Sequence, residues 1–111
     1  MTINDLIDAN IFSILKSGSD TARTISKPFN CDMLSIAMSK APADSAWVTV
    51  MGNINTLAVA ALADVGCIIL AEGAKFDDAA SAKLAETDIT VFETDMPVFE
   101  ASLEIFNRLN A

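Results

Sequence analysis

Three apolar stretches decide how this chain is read: Ala46-Trp47-Val48-Thr49-Val50-Met51, Cys67-Ile68-Ile69-Leu70-Ala71 and Asp88-Ile89-Thr90-Val91-Phe92. The first is rich in β-branched and aromatic residues, which suit a pleated surface. The second is apolar without alternation, as expected of a strand buried on both faces near the centre of a parallel sheet. Helical spacing fills the gaps between them. Asn53 or Asn55 can cap a helix to about Asp64, built from Leu57, Ala58, Val59, Ala60, Ala61 and Leu62, and Gly66 stops it. Its small residues on every side predict close contact over much of its surface. Asp77 or Asp78 can cap a second helix to about Glu86, with Phe76, Ala80 and Leu84 at fourfold spacing. After the third stretch, Thr94 or Asp95 caps a last helix, where Pro97 is tolerated in the first turn and Phe99, Leu103 and Phe106 form the expected inner stripe. Strand and helix thus alternate from Ala46 onward. This specifies an α/β fold: a small, mostly parallel sheet of about five strands with helices on both faces.

Upstream the pattern is weaker. Ile3, Leu6 and Ile7 mark a short helix over residues 3–9, and Ile11 to Leu15 reads as a strand. Lys16 to Arg23 is rich in Ser, Gly, Asp and Thr and reads as a loop. Thr24 to Phe29 is expected to be extended, because the residue before Pro28 avoids the helical region. Asn30 or Asp32 can cap a helix to about Lys40 that buries Leu34, Ala37, Met38 and Ala41, and Pro42 closes it. No linker, low-complexity stretch or internal repeat interrupts residues 1–111, so one domain is expected.

Composition excludes several roles. Of 111 residues, 52% are apolar, which supports a packed core over a disordered tail. The net charge of −8 is uneven: residues 1–45 carry −1 and residues 46–111 carry −7. No cluster of Lys and Arg exists to replace phosphate counterions, so neither nucleic acid nor an anionic membrane is an expected partner. The longest apolar run, Leu57 to Ala63, falls far short of the ~20 residues that span a bilayer. Met1-Thr2-Ile3-Asn4-Asp5 offers no basic leader, so no signal peptide is expected. Two widely spaced cysteines, Cys31 and Cys67, fit free thiols and a cytoplasmic location.

Catalytic patterns are scarce. The chain has no histidine, and therefore no Ser-His-Asp or Cys-His arrangement. It lacks the P-loop and dinucleotide glycine spacings. No compact set of Cys, His or carboxylate ligands points to a metal, so no cofactor and no catalytic residue is expected. Cys67 reads as a small core residue, and Cys31, just before a helix start, reads as an inert thiol.

In an open α/β sheet, ligands collect beyond the carboxyl ends of the strands. Three strand-to-helix segments meet there, and they supply the candidate ligand-binding residues Gly52, Asn53, Asn55, Glu72, Gly73, Thr94 and Asp95. The glycines permit close backbone approach, and helix N-termini offer free N–H groups. Glu72, Glu93 and Asp95 oppose a bare anion and suit an amine, a sugar hydroxyl or a nucleobase edge. Asn53, Asn55, Thr94 and Asp95 serve equally well as helix caps. Glu72 follows a buried strand and has no capping duty, which singles it out.

The ordered motifs resemble a known family. Asp32-Met33-Leu34-Ser35-Ile36-Ala37-Met38 is similar to the "DLLS-x-V-M" helix of DRTGG-domain proteins. Ala46-Trp47-Val48-Thr49-Val50, followed by Asn53-Ile54-Asn55-Thr56-Leu57-Ala58-Val59-Ala60, resembles that family's second strand–helix unit. Ile68-Ile69-Leu70 with Glu72-Gly73, and Val91-Phe92-Glu93-Thr94-Asp95 leading to Phe99-Glu100, continue the likeness in order. It covers Cys31 to Leu109, with a weaker start at Ile3, Asp5 and Leu6. The name-giving residues differ: Asn53-Ile54-Asn55 stands where relatives place Asp-Arg, and Ala71-Glu72-Gly73 where they place Thr-Gly-Gly. The resemblance implies a fold like the N-terminal domain of HPr kinase, without the catalytic P-loop domain. It also implies a regulatory role: relatives occur beside CBS domains in some pyrophosphatases, in some phosphate acetyltransferases, and as stand-alone proteins near hydrogenase genes.

Two functional expectations follow. The first is a non-catalytic regulatory module that binds a small ligand, such as a nucleotide or metabolite, at the strand-end loops. The second is an interaction protein without a ligand, acting as a homodimer or docking on a protein partner through Ile3–Leu15 and the Phe99/Phe106 helix.

Overall fold

The computed structural model describes all residues from Met1 to Ala111. In chain order its elements are α1 (Ile3–Ala9), β1 (Ser13–Lys16), β2 (Pro28–Asn30), α2 (Leu34–Lys40), β3 (Ala46–Thr49), α3 (Ile54–Ala63), β4 (Cys67–Leu70), α4 (Asp78–Leu84), β5 (Thr90–Glu93) and α5 (Val98–Leu109). The fold is α/β. One five-stranded sheet runs in the order β1-β5-β4-β3-β2. β2, β3, β4 and β5 are parallel, and β1 closes the β5 edge antiparallel, with an irregularity between Ile14 and Lys16.

This order explains the layering. From β2 to β5 each strand lies beside its predecessor, always stepping in the same direction, and right-handed crossovers then place their helices on one face. α2, α3 and α4 accordingly share a core with Trp47, Ile68, Leu70 and Val91. The alternate side chains Ala46, Val48, Cys67, Ile69 and Phe92 face the other way, where α1 supplies Ile3 and Leu6 and α5 supplies Ala101 and Ile105. Both faces of β3 and β4 are covered, and every residue of these strands is buried. That double burial is why Cys67–Leu70 needs no polar alternation.

Several local expectations are corrected. Neither Asn30 nor Asp32 caps α2. Met33 holds that position without a side-chain hydrogen bond, because the Asp32 carboxylate instead accepts from Thr49 Oγ1 (2.7 Å) and Val50 N (2.9 Å). Ala37 is buried beneath α2 and Leu34 and Ala41 pack beside it, but Met38 is 46% exposed. α3 is not enclosed on every side, since Leu62 is 72% exposed. The largest reversal concerns α5. Pro97, not Thr94 or Asp95, is its N-cap, and it buries Ala101, Ser102 and Ile105. Phe99 (61% exposed), Leu103 and Phe106 lie on its outer flank. Small side chains at Ala101 and Ser102 let the helix approach the sheet closely, which sets its rotation and turns the aromatic stripe away from the core.

Candidate functional site

β3, β4 and β5 run in register, so Thr49, Leu70 and Glu93 end side by side. The loops that follow share one rim and are stitched by backbone hydrogen bonds. Ala71 N donates to Thr49 O, Thr94 N to Leu70 O, Glu72 N to Met96 O and Gly73 N to Thr94 O, all at 2.9–3.0 Å. Asp77 N donates to Gly52 O at 2.8 Å. A Cβ on Gly52 would fall 2.0 Å from Lys75 O, and one on Gly73 would fall 3.2 Å from Asp95 Oδ1. Gly52, Glu72, Gly73, Thr94 and Asp95 are therefore neighbours, and the glycines serve loop-to-loop packing.

Asn53 and Asn55 have other places. Asn53 Oδ1 accepts from Asn55 N and Thr56 N and so caps α3. Asn55 is exposed and lines a separate cavity between α3 and α4. Thr94 Oγ1 accepts from Met96 N, closing the turn into α5.

Glu72 has the least ordinary backbone. Its φ is +59° and that of Gly73 is +73°, so two successive left-handed residues turn the chain after β4. A glutamate held there is strained by about 1 kcal/mol relative to the right-handed region. Its side chain is exposed and makes no hydrogen bond or ion pair within the protein.

The concave part of the rim is a polar niche of about 100 Å³, lined by Ser13, Lys75, Glu93, Thr94 and Asp95. Lys75 Nζ lies 3.4 Å from Glu93 Oε1, and the Glu93 side chain is only 18% exposed. Ser13, Lys75 and Asp32 are the rim residues the motif reading missed. A lone lysine in the otherwise acidic Glu72–Asp78 segment was a visible signal. Ser13 was not, because it reaches the rim only through the long-range pairing Ser13↔Glu93. Asp32 was masked by its resemblance to a helix cap.

The niche provides one ammonium, two carboxylates and two hydroxyls within a small volume, a set suited to hydroxyl and amide groups. No three Cys, Asp or Glu side chains are grouped to hold a metal ion. The thiols offer little chemistry. Cys67 is wholly buried, and loss of hydration pushes its pKa up to about 12. Cys31 is half-buried, with Sγ 3.2 Å from Met33 O. No helix is long and apolar enough to cross a membrane. No protein-family model and no curated protein matches the chain.

Proposed function

We propose that this protein is a non-catalytic regulatory module that binds a small polar metabolite at the carboxyl-end rim of its sheet. The observation that carries the reading is the niche of Ser13, Lys75, Glu93, Thr94 and Asp95, with the strained and unpartnered Glu72 beside it. A residue kept in a strained conformation with no structural partner marks a place where function opposes stability. The ligand carries vicinal hydroxyls or an amide edge, as sugars and nucleosides do, and it sits across the rim with much of its body in solvent. The regulatory role rests on the resemblance to DRTGG domains.

A thermal-shift screen of the full chain over nucleosides, nucleotides, sugars and amino acids tests this. A ligand should raise the melting temperature by several degrees, and Glu93→Gln and Asp95→Asn should each remove most of the rise. No rise with any compound, or one indifferent to both substitutions, overturns the reading.

A second reading has its own observation. Phe99, Leu103 and Phe106 are exposed on α5, beside a cavity of about 210 Å³ completed by Pro28, Asn30 and Ser102. Such a patch suits a homodimer or a docking partner. Sedimentation at high micromolar concentration tests the dimer. A concentration-dependent shift abolished by Phe106→Ser supports it, and a clean monomer rejects it.

A further inference from the structure

The two edge strands of the sheet are finished differently. β1 carries an irregularity between Ile14 and Lys16, a device that discourages further pairing. β2 is regular and pairs with β3 alone. Ala46 N donates to Lys27 O at 2.9 Å, and with the register Phe29↔Trp47 this turns the backbone polar groups of Phe29 towards β3. Those of Pro28 and Asn30 turn outward. Proline has no N–H, so Asn30 is the one residue of β2 with both a donor and an acceptor free at the edge. That is too little for an added peptide, whose ladder repeats at every second residue. It suffices for a second copy. About a two-fold axis normal to the sheet, Asn30 N donates to the carbonyl of the partner's Asn30 and its own carbonyl accepts in return.

α5 fits the same axis. It lies over both β2 and β3. With strands about 4.8 Å apart, a helix centred between those two stands about 2.4 Å inside β2, and its two-fold mate falls about 10 Å away. Helices pack at that distance. The flank of α5 bordering this edge is apolar: Phe99, Leu103 and Phe106 form a groove with Pro28, Asn30 and Ser102 that contains no charged side chain. These three, with Met33 just past the strand, are 42–61% exposed. At ~200 Å² for a large side chain they offer roughly 400 Å² per copy. The edge strand brings the pair to about 1,000 Å² in total, where specific interfaces begin.

Charge favours the same arrangement. Two chains of −8 repel each other, and the uncharged groove is a face on which they can meet. Lys27 precedes β2 and Asp32 follows it, both exposed. An antiparallel mate brings the basic end of each strand to the acidic end of the other.

We propose that two copies of this protein join through β2, with Asn30 on the two-fold axis, so that the sheets become continuous and the α5 helices pack antiparallel across the seam. This rests on the homodimer reading above and adds to it the edge, the register and the axis.

Sedimentation of the full chain should show a dimer half-formed at about 10–100 μM. Asn30→Pro removes the outward N–H, leaves the ladder to β3 whole, and should weaken the dimer at least tenfold. Asn30→Ala also loses the hydrogen bond from Ser102 Oγ to Asn30 Oδ1 but keeps the N–H, and should dimerise like the parent. Asn30→Cys in a Cys31→Ser background reads the axis directly. Facing residues of a hydrogen-bonded pair have Cα atoms about 5.5 Å apart, within the reach of a disulfide. Mild oxidation should therefore convert most of that variant to covalent dimer, and should convert less than a tenth as much of Glu86→Cys, placed beyond α4 in the same background. A dimer that Phe106→Ser abolishes, that Asn30→Pro leaves untouched and that Asn30→Cys does not trap overturns this seam and leaves the homodimer reading standing. A clean monomer at high micromolar concentration overturns both. If Asn30→Pro does not fold, the disulfide decides: equal yields from Asn30→Cys and Glu86→Cys overturn the proposal.

Discussion

The two ends of the sheet are built differently. At the carboxyl ends the loops are short and joined by backbone hydrogen bonds, with Gly52 pressed so closely on Lys75 that no side chain fits. At the amino ends the long Lys16–Arg23 segment arches over β4 and β5. Side chains secure much of that arch: Lys16 reaches the carbonyls of Leu84, the last residue of α4, and of Thr87 just beyond it, Ser19 bonds Asp88, and Arg23 joins Asp44 and Asp64. The difference follows from strand order. Deep ligand crevices at carboxyl ends arise where the order reverses and neighbouring crossovers diverge. Here β2 to β5 progress without reversal, so that end closes into a shallow niche. A larger cavity, of about 280 Å³, lies under the bridging arch.

Alanine at one glycine from each end is the strongest test of this contrast. Gly52→Ala places a Cβ 2.0 Å from Lys75 O and 2.7 Å from its carbonyl carbon. Backbone cannot rotate away, so the variant should lose about 3 kcal/mol or more, or fail to fold. Gly18→Ala meets Ile89 C and Thr90 N at 3.1 Å, contacts that yield with a small shift of the arch, and should lose only about 1 kcal/mol. Urea unfolding measures both. Equal losses would show that the arch is packed as rigidly as the rim.

Glu72→Gly sharpens the same comparison with a smaller effect of opposite sign. Glycine relieves the left-handed strain at φ +59° and restores part of the unfolded chain's freedom. The net should be a gain of about 0.5 kcal/mol. A melting temperature that rises slightly while rim binding falls would mark Glu72 as kept for a ligand. A fall in stability would mean that the glutamate holds the turn by contacts of its own.

Much of this was legible in the chain. The central strands announced themselves because β3 and β4 are buried on both faces, and burial of that kind leaves continuous apolar runs such as Cys67–Leu70. Helix positions followed from spacing, and Asn53 and Asp77 cap as expected. The rotation of α5 was not legible. Phe99, Leu103 and Phe106 form as regular a stripe as Ala101, Ser102 and Ile105, and hydrophobicity favours the aromatic set. Closeness of approach to the sheet, which periodicity does not encode, decided for the small residues. The rim was found only in part for a similar reason. Gly52, Glu72, Gly73, Thr94 and Asp95 sit at strand ends and meet there, whereas Ser13 arrives from an antiparallel neighbour and Asn55 turns away along α3. The amino-end cavity was invisible, since it depends on where an irregular segment crosses the sheet.

The smallest effect concerns how the arch is fastened. Asp88 accepts hydrogen bonds from the Ser19 hydroxyl and the Ser19 amide, which hold its carboxyl below its ordinary value of 3.8. A carboxylate whose folded pKa is depressed adds stability that is present above the unfolded value and disappears as pH falls through the folded one. The contribution of Asp88 should therefore be constant near neutrality and fade below about pH 4. Asp88→Asn removes the charge at every pH, so the stability gap between parent and variant should be small at pH 7 and shrink further as pH drops towards 3. Asp88 is exposed, and added salt should narrow the gap as well. Asp5, held low by the Thr2 amide and hydroxyl at the cap of α1, has the same sign and is untouched by the substitution, so its share cancels in the difference. Urea midpoints at pH 7, 4 and 3 provide the measurement. A gap that stays constant with pH would mean that the Asp88 charge does not fasten the arch, leaving Lys16 and Arg23 to hold it over the cavity.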